Sequence, residues 1–184
     1  ILGNHDISGI STLKPELAKE FAAEVKNLCD AYELDGIFLD DEYTDYEGAG
    51  STTIPGFTAP SVEAASRMAY EIRKAQPSRL LISYRYEALY DAVAVDGMEP
   101  GQIFDYVVND YWQTSNPCDT YPGLKISQAG TGSWNCSDYS QCIPSNTSWT
   151  DRFSLEGMRQ DGYGALLIFN FNVNPGYWLT NYIL

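Results

Sequence analysis

The chain is short of positive charge: 11 lysines and arginines face 25 aspartates and glutamates, for a formal net charge of −14 over 184 residues. Such a field repels a phosphate backbone or an anionic membrane surface, which sets aside nucleic acid and acidic lipid as partners. A neutral ligand stays open. No apolar run approaches the roughly 20 residues that a membrane-spanning helix requires, and Ile1 to Asp6 has none of the basic, apolar and small-residue sections of a signal peptide. The expectation is a soluble, secreted or extracytoplasmic chain from which any signal has been removed.

Histidine is limited to His5, and with four cysteines at unsuitable spacings a zinc site is not expected. Cys118, Cys136 and Cys142 share one polar stretch, where a single disulfide is expected with its pairing open; Cys29 falls in a helical pattern and reads as a buried thiol. Asn135-Cys136-Ser137 and Asn146-Thr147-Ser148 have the form of glycosylation acceptors, in keeping with export.

What is present is 44% hydrophobic and 14% aromatic residues, enough for one globular domain. Strand-like runs alternate with helical patterns, the mark of parallel strands joined by crossover helices. After Pro15, Leu17, Phe21, Val25, Leu28 and Tyr32 fall at helical spacing, predicting a helix over about 14–33. A second helix is marked by Val62, Ala65, Met68, Ala69, Ile72 and Ala75 and stops before Pro77; a third lies near 149–161. Strands are expected at 36–39, 80–84, 104–108, 124–127 and 165–169, with Ile1 and Leu2 as the tail of another. An open doubly wound sheet is the competing arrangement, but no Gly-x-Gly-x-x-Gly or phosphate loop follows any strand. The α/β reading is therefore a (β/α)8 TIM barrel. Such a barrel has eight strands in about 250 residues, so the expectation includes two strand-helix units missing ahead of Ile1.

The segment that carries chemistry is Leu34-Asp35-Gly36-Ile37-Phe38-Leu39-Asp40-Asp41-Glu42-Tyr43, an apolar strand ending in three carboxylates. Side chains alternate along a strand, so Phe38, Asp40 and Glu42 face one way and Asp41 the other. In a barrel the C-terminal strand ends build the site. Two carboxyl groups this close do not readily ionise together, and one is pushed toward the neutral, proton-donating form.

Asp35-Gly36-Ile37-Phe38-Leu39-Asp40-Asp41-Glu42 resembles the Asp-x-x-Asp-x-Asp-x-Glu signature of glycoside hydrolase family 18, and Asp-Asp-Glu-Tyr together with Leu2-Gly3-Asn4-His5 resembles its endoglycosidase H/F branch. The resemblance implies a monomeric endo-β-N-acetylglucosaminidase acting on N-linked glycans or glycoproteins, without metal or cofactor. Glu42 matches the acid/base, and Asp40 the residue that orients the substrate's 2-acetamido group. The implied chemistry is retaining and substrate-assisted, through an oxazolinium ion.

Asn109-Asp110-Tyr111-Trp112 is similar to the branch's Asn-Pro-Tyr-Tyr segment, which gives Tyr111 the role of donor to the attacking acetamido carbonyl and Asn109 a place beside the substrate. Tyr43, Tyr84, Tyr86, Gln128, Asn170 and Asn172 are further substrate-binding candidates, Trp112, Trp134 and Trp178 possible sugar platforms, and His5 a supporting contact. Phe38 departs from the signature, which has a middle Asp there. The alternatives are a chitinase-like hydrolase and a non-catalytic glycan-binding protein on the same barrel; retention of Glu42 speaks against the latter.

Overall fold

The computed structural model describes residues 1, 3, 9–42, 55–110, 115–135 and 159–169. Helix α1 (Ala18–Ala31) follows a 3-10 turn at Pro15–Leu17 and leads into strand β1 (Gly36–Leu39). Helix α2 (Val62–Ala75) leads into β2 (Leu80–Arg85), and the one-turn helix α3 (Pro100–Ile103) into β3 (Tyr106–Asn109). Among the described residues, strands β4 (Ala129–Asn135) and β5 (Ala165–Phe169) follow.

All four strand pairings are parallel and the spatial order is β1-β2-β3-β4-β5, the order of the chain. A doubly wound sheet reverses its order at a switch point. This one does not, and its sense is that of a TIM-type α/β half-barrel. Ahead of β1, Ile1 N donates to Phe38 O, Asp40 N to Ile1 O and Gly3 N to Asp40 O, a parallel ladder alongside the strand. Gly36 opens β1 opposite Leu80, and a Cβ there would sit 2.6 Å from the Leu80 carbonyl oxygen. The Asp-Gly pair thus lets β1 and β2 close in this register.

The two faces of the sheet have different tasks. Ile37, Leu39, Leu81 and Val107 point to the helix side, where they join Met68, Ala69 and Ile72 of α2 and Ala22 and Cys29 of α1 in the buried core. Fully burying a side chain such as Leu39 or Ile72 contributes about 1.5–3 kcal/mol. Ser61 caps α2, its hydroxyl accepting from Ala64 N at 3.1 Å. By alternation Phe38, Ile82, Tyr84, Tyr106 and Val108 occupy the opposite face.

The helix expected over about 14–33 forms as α1, and one strand expectation needs correction. The buried face of α1 is Ala18, Ala22, Val25 and Cys29, while Leu28 is 56% and Tyr32 72% exposed. Small side chains let α1 approach α2 closely, and Leu28 lines an apolar groove at the edge of β1 with Val25, Leu34 and Phe38. The expected strand at 124–127 is instead a 3-10 turn at Ile126–Gln128, and pairing with β3 begins at Ala129. Glycines at 130 and 132 weakened the apolar signal of the true strand.

Cys29 is buried with a free thiol, and Cys118 is also free, so the expected disulfide does not involve Cys118 here; Cys136 and Cys142 lie outside the described residues. Of the third expected helix only 159–161 is described. Among the described residues no helix is long and apolar enough to cross a membrane.

Candidate active site

The parallel strands deliver their C-terminal residues to one edge. There β1 runs into Asp40, Asp41 and Glu42, β2 into Tyr86, and β3 into Asp110. Alternation separates the three acids. Asp41 is 2% exposed and turned to the helix side, its Oδ1 accepting from Ile10 N at 2.8 Å and its Oδ2 from Ser11 N at 3.0 Å. Its charge fastens the segment after Gly9 and is spent on structure.

Asp40 has the opposite orientation and a different environment. It is half-buried, and its Oδ1 is shielded from solvent with no hydrogen-bond partner among the described residues. Burial, followed by the negative charge of Glu42, lifts its carboxyl from 3.8 to about 6, against the pull of the Ile1 amine and the Glu42 backbone N–H. Glu42 is half-buried in the turn that leaves β1. The site therefore pairs two carboxyl groups two residues apart, one of them made harder to ionise by its surroundings.

On the neighbouring strand Leu39 pairs with Ser83, which puts Asp40 level with Tyr84. Tyr84 is 5% exposed, and its hydroxyl donates to Asp110 Oδ1 at 2.6 Å. Tyr86 stacks on Tyr84 with centroids 6.2 Å apart, and the Phe38 and Tyr84 rings are tilted with centroids 6.1 Å apart. Phe38, Asp40, Tyr84, Tyr86 and Asp110 thus gather on one face. Asp110 was not among the residues singled out from the sequence, although its parity with Tyr106 and Val108 beyond β3 would have placed it there.

Two of the expected substrate ligands sit elsewhere. Asn109 is completely buried on the helix-side face, where its Oδ1 accepts from Arg85 Nη1 at 2.9 Å and its Nδ2 donates to Ser115 O at 2.6 Å. Its carboxamide braces the end of β3. Gln128 precedes β4, at the N-terminal edge of the sheet, because the strand begins five residues later than expected. Its Nε2 donates to Gly101 O and Phe104 O, and its Oε1 accepts from Lys125 N. Both ends of that amide are committed to loop structure. Tyr43, Tyr111, Asn170, Asn172, His5, Trp112 and Trp178, and the side chain of Trp134, lie outside the described residues.

No protein-family model matches the chain. It is 38% identical over 175 residues to endo-beta-N-acetylglucosaminidase F1 of Elizabethkingia meningoseptica, covering 95% of this chain and 48% of that protein. An endo-beta-N-acetylglucosaminidase of Flavobacterium sp. (strain SK1022) is 29% identical over 172 residues, covering 92% of this chain and 50% of the relative. Among solved structures, Bacteroides thetaiotamicron EndoBT-3987 with Man5GlcNAc product superposes with a TM-score of 0.68 at 30% identity, covering 91% of this chain and 36% of that one. The same protein in complex with Man9GlcNAc2Asn substrate gives a TM-score of 0.60 at 29% identity, covering 91% of this chain and 39% of that one. The chain spans about half the length of the curated relatives it matches. Through nearly all of its own length it is a relative of the endo-β-N-acetylglucosaminidases of the endoglycosidase H/F type.

Proposed function

We propose that this chain carries the acid/base centre of an endo-β-N-acetylglucosaminidase that cuts the β-1,4 bond in the di-N-acetylchitobiose core of N-linked glycans. The observation that carries the reading is Asp40, half-buried at a strand's C-terminal end with an unsatisfied carboxyl oxygen and Glu42 two residues on. A shielded carboxyl oxygen without a partner among the described residues is costly unless a ligand group completes it. The kinship with endo-β-N-acetylglucosaminidases supplies the substrate class. The sheet, on this reading, belongs to a closed (β/α)8 barrel, and the acidic surface to an extracytoplasmic enzyme.

In the proposed reaction Glu42 gives its proton to the glycosidic oxygen as the bond from that oxygen to the anomeric carbon breaks. The carbonyl oxygen of the substrate's own 2-acetamido group bonds to the anomeric carbon, giving an oxazolinium ion. Asp40, ionised, accepts from the acetamido N–H and balances the positive charge that develops there. The Glu42 carboxylate then takes a proton from water, which attacks the anomeric carbon and opens the ring with net retention. Tyr111 is assigned as the donor to the acetamido carbonyl, Tyr86 as the aromatic wall beside the reacting sugar, and the nearly inaccessible Tyr84 as the support on which Tyr86 stacks.

The test is to incubate the full chain with a high-mannose glycoprotein and, separately, with a chitin oligomer, and to weigh the products. Release of glycan that leaves one N-acetylglucosamine on the protein supports the proposal. Cleavage of the chitin oligomer alone would replace it with the chitinase-like reading, and retained glycan binding without either product would make the protein a lectin.

A further inference from the structure

Arg85 is the last residue of β2 and stands between Tyr84 and Tyr86 of the site face, so alternation turns its side chain to the helix side. It is wholly buried, and a buried cation needs acceptors. Those it finds beyond the strands belong to two segments. From the segment after β2, the Tyr90 carbonyl accepts from Nε at 2.9 Å, and the Tyr90 ring lies 3.9 Å from the guanidinium carbon. From the segment beyond β3, Thr120 Oγ1 accepts from Nε at 3.0 Å and Ser115 Oγ from Nη1 at 2.9 Å.

The two segments are also bonded to each other around the guanidinium. Thr120 Oγ1 donates to Tyr90 O, Ala92 N donates to Thr120 O, and the Tyr90 hydroxyl shares a 3.1 Å bond with Ser115 Oγ. Tyr121, fully buried, adds a further link, its hydroxyl donating to Leu89 O and sharing a 2.9 Å bond with Ser83 Oγ of β2. Leu89 N in turn donates to Tyr86 O.

We propose that Arg85 is a positioning residue, a clamp that joins segments 86–92 and 115–121 into one rim and so fixes Tyr86 for sugar binding. The use of the rim rests on the endoglycosidase reading. Both segments follow the C-terminal ends of their strands, the edge that carries Asp40, where the loops of a barrel shape substrate binding. Tyr86 directly follows the anchored Arg85, so a shift of its segment is passed to the ring that stacks on Tyr84. The planar guanidinium suits this place because its nitrogens reach two segments at once in fixed geometry, whereas an ammonium is a single point. Asn109 lies on the strand side of the clamp, and its loss leaves the bonds to Tyr90, Thr120 and Ser115 in place.

The experiment compares wild type with Arg85→Lys, which keeps the charge and removes the fork, at a temperature where both are folded. Amide hydrogen exchange is measured without substrate, and steady-state kinetics on a high-mannose glycoprotein. Exchange at Ala92 N is expected to be about tenfold faster in the variant, with the amides of α1 unchanged. The ratio kcat/KM should fall about tenfold, and the fall should lie in KM. A merely structural role would instead shrink the folded fraction, which speeds exchange in α1 as well and lowers kcat at constant KM. Thr120→Val removes the hydroxyl that bridges Arg85 Nε and Tyr90 O without touching the cation. It serves if the lysine variant does not fold, with the same two changes expected. A folded variant with wild-type exchange at Ala92, or with wild-type KM, would overturn the proposal. Because exchange needs no substrate, a loosened Ala92 in a protein whose wild type releases no glycan would refute the endoglycosidase reading and keep the clamp. An active wild type whose variant leaves Ala92 exchange unmoved would do the reverse.

Discussion

The Tyr84 hydroxyl donates to Asp110 Oδ1 across the gap between β2 and β3, a 2.6 Å bond between two nearly inaccessible side chains on the face that also carries Asp40. A hydrogen bond to a charged acceptor contributes about 1.5–3 kcal/mol where it is shielded from water. Tyr84→Phe keeps the ring and removes the tether. It should cost about 1–2 kcal/mol in urea unfolding and reduce kcat more than it raises KM, since the ring stays in place but loses its fixed position. An unchanged unfolding midpoint would mean the bond does no structural work.

Asp40 makes a prediction of opposite sign. Its folded value of about 6 lies above the 3.8 of an exposed carboxyl, so the unfolded chain gives up this proton first as pH rises. Asp40 therefore costs stability progressively between pH about 4 and about 6 and by a constant amount above that, with no cost below pH 4. Discounted for its partial exposure, the penalty at neutral pH is on the order of 1 kcal/mol. Asp40→Asn should accordingly raise the melting temperature by about 2–4 °C at pH 7, leave it unchanged at pH 4, and abolish glycan release. Equal melting temperatures at both pH values would show that Asp40 is not strained in the fold.

Asn109 was expected among the substrate ligands and is placed as a brace. Arg85 is wholly buried, with its guanidinium 3.9 Å from the Tyr90 ring and its donors on Tyr90 O, Thr120 Oγ1, Ser115 Oγ and Asn109 Oδ1. Removing one acceptor from a buried cation is costly. Asn109→Ala should destabilise the protein by about 2–3 kcal/mol, with KM for glycan little changed in the folded fraction. A large rise in KM with normal stability would return Asn109 to the substrate.

Much of this arrangement was legible in the sequence. Period-two alternation sorted Phe38 and Asp40 from Asp41, and the strand-helix alternation gave the parallel sheet in chain order. The misreadings have physical causes. Leu28 and Tyr32 share the helical spacing of α1 but stay exposed, because the face that packs is the smaller one of Ala18, Ala22, Val25 and Cys29. Gln128 seemed to end a strand because Leu124 to Ser127 is the more apolar run, whereas β4 is built on small residues that hydropathy does not mark. Asn109 and Asp110 are adjacent, and a one-residue choice of face decided which of them meets Tyr84.

The central claim is that Glu42 supplies the proton that breaks the chitobiose bond, and Glu42→Gln tests it most directly. Mass spectrometry of a high-mannose glycoprotein incubated with wild type and with this variant should show glycan release, leaving one N-acetylglucosamine, by wild type alone. The variant should bind the glycan as wild type does while its release rate falls at least about 100-fold, the usual scale of general acid catalysis. Release by Glu42→Gln at the wild-type rate would contradict the account.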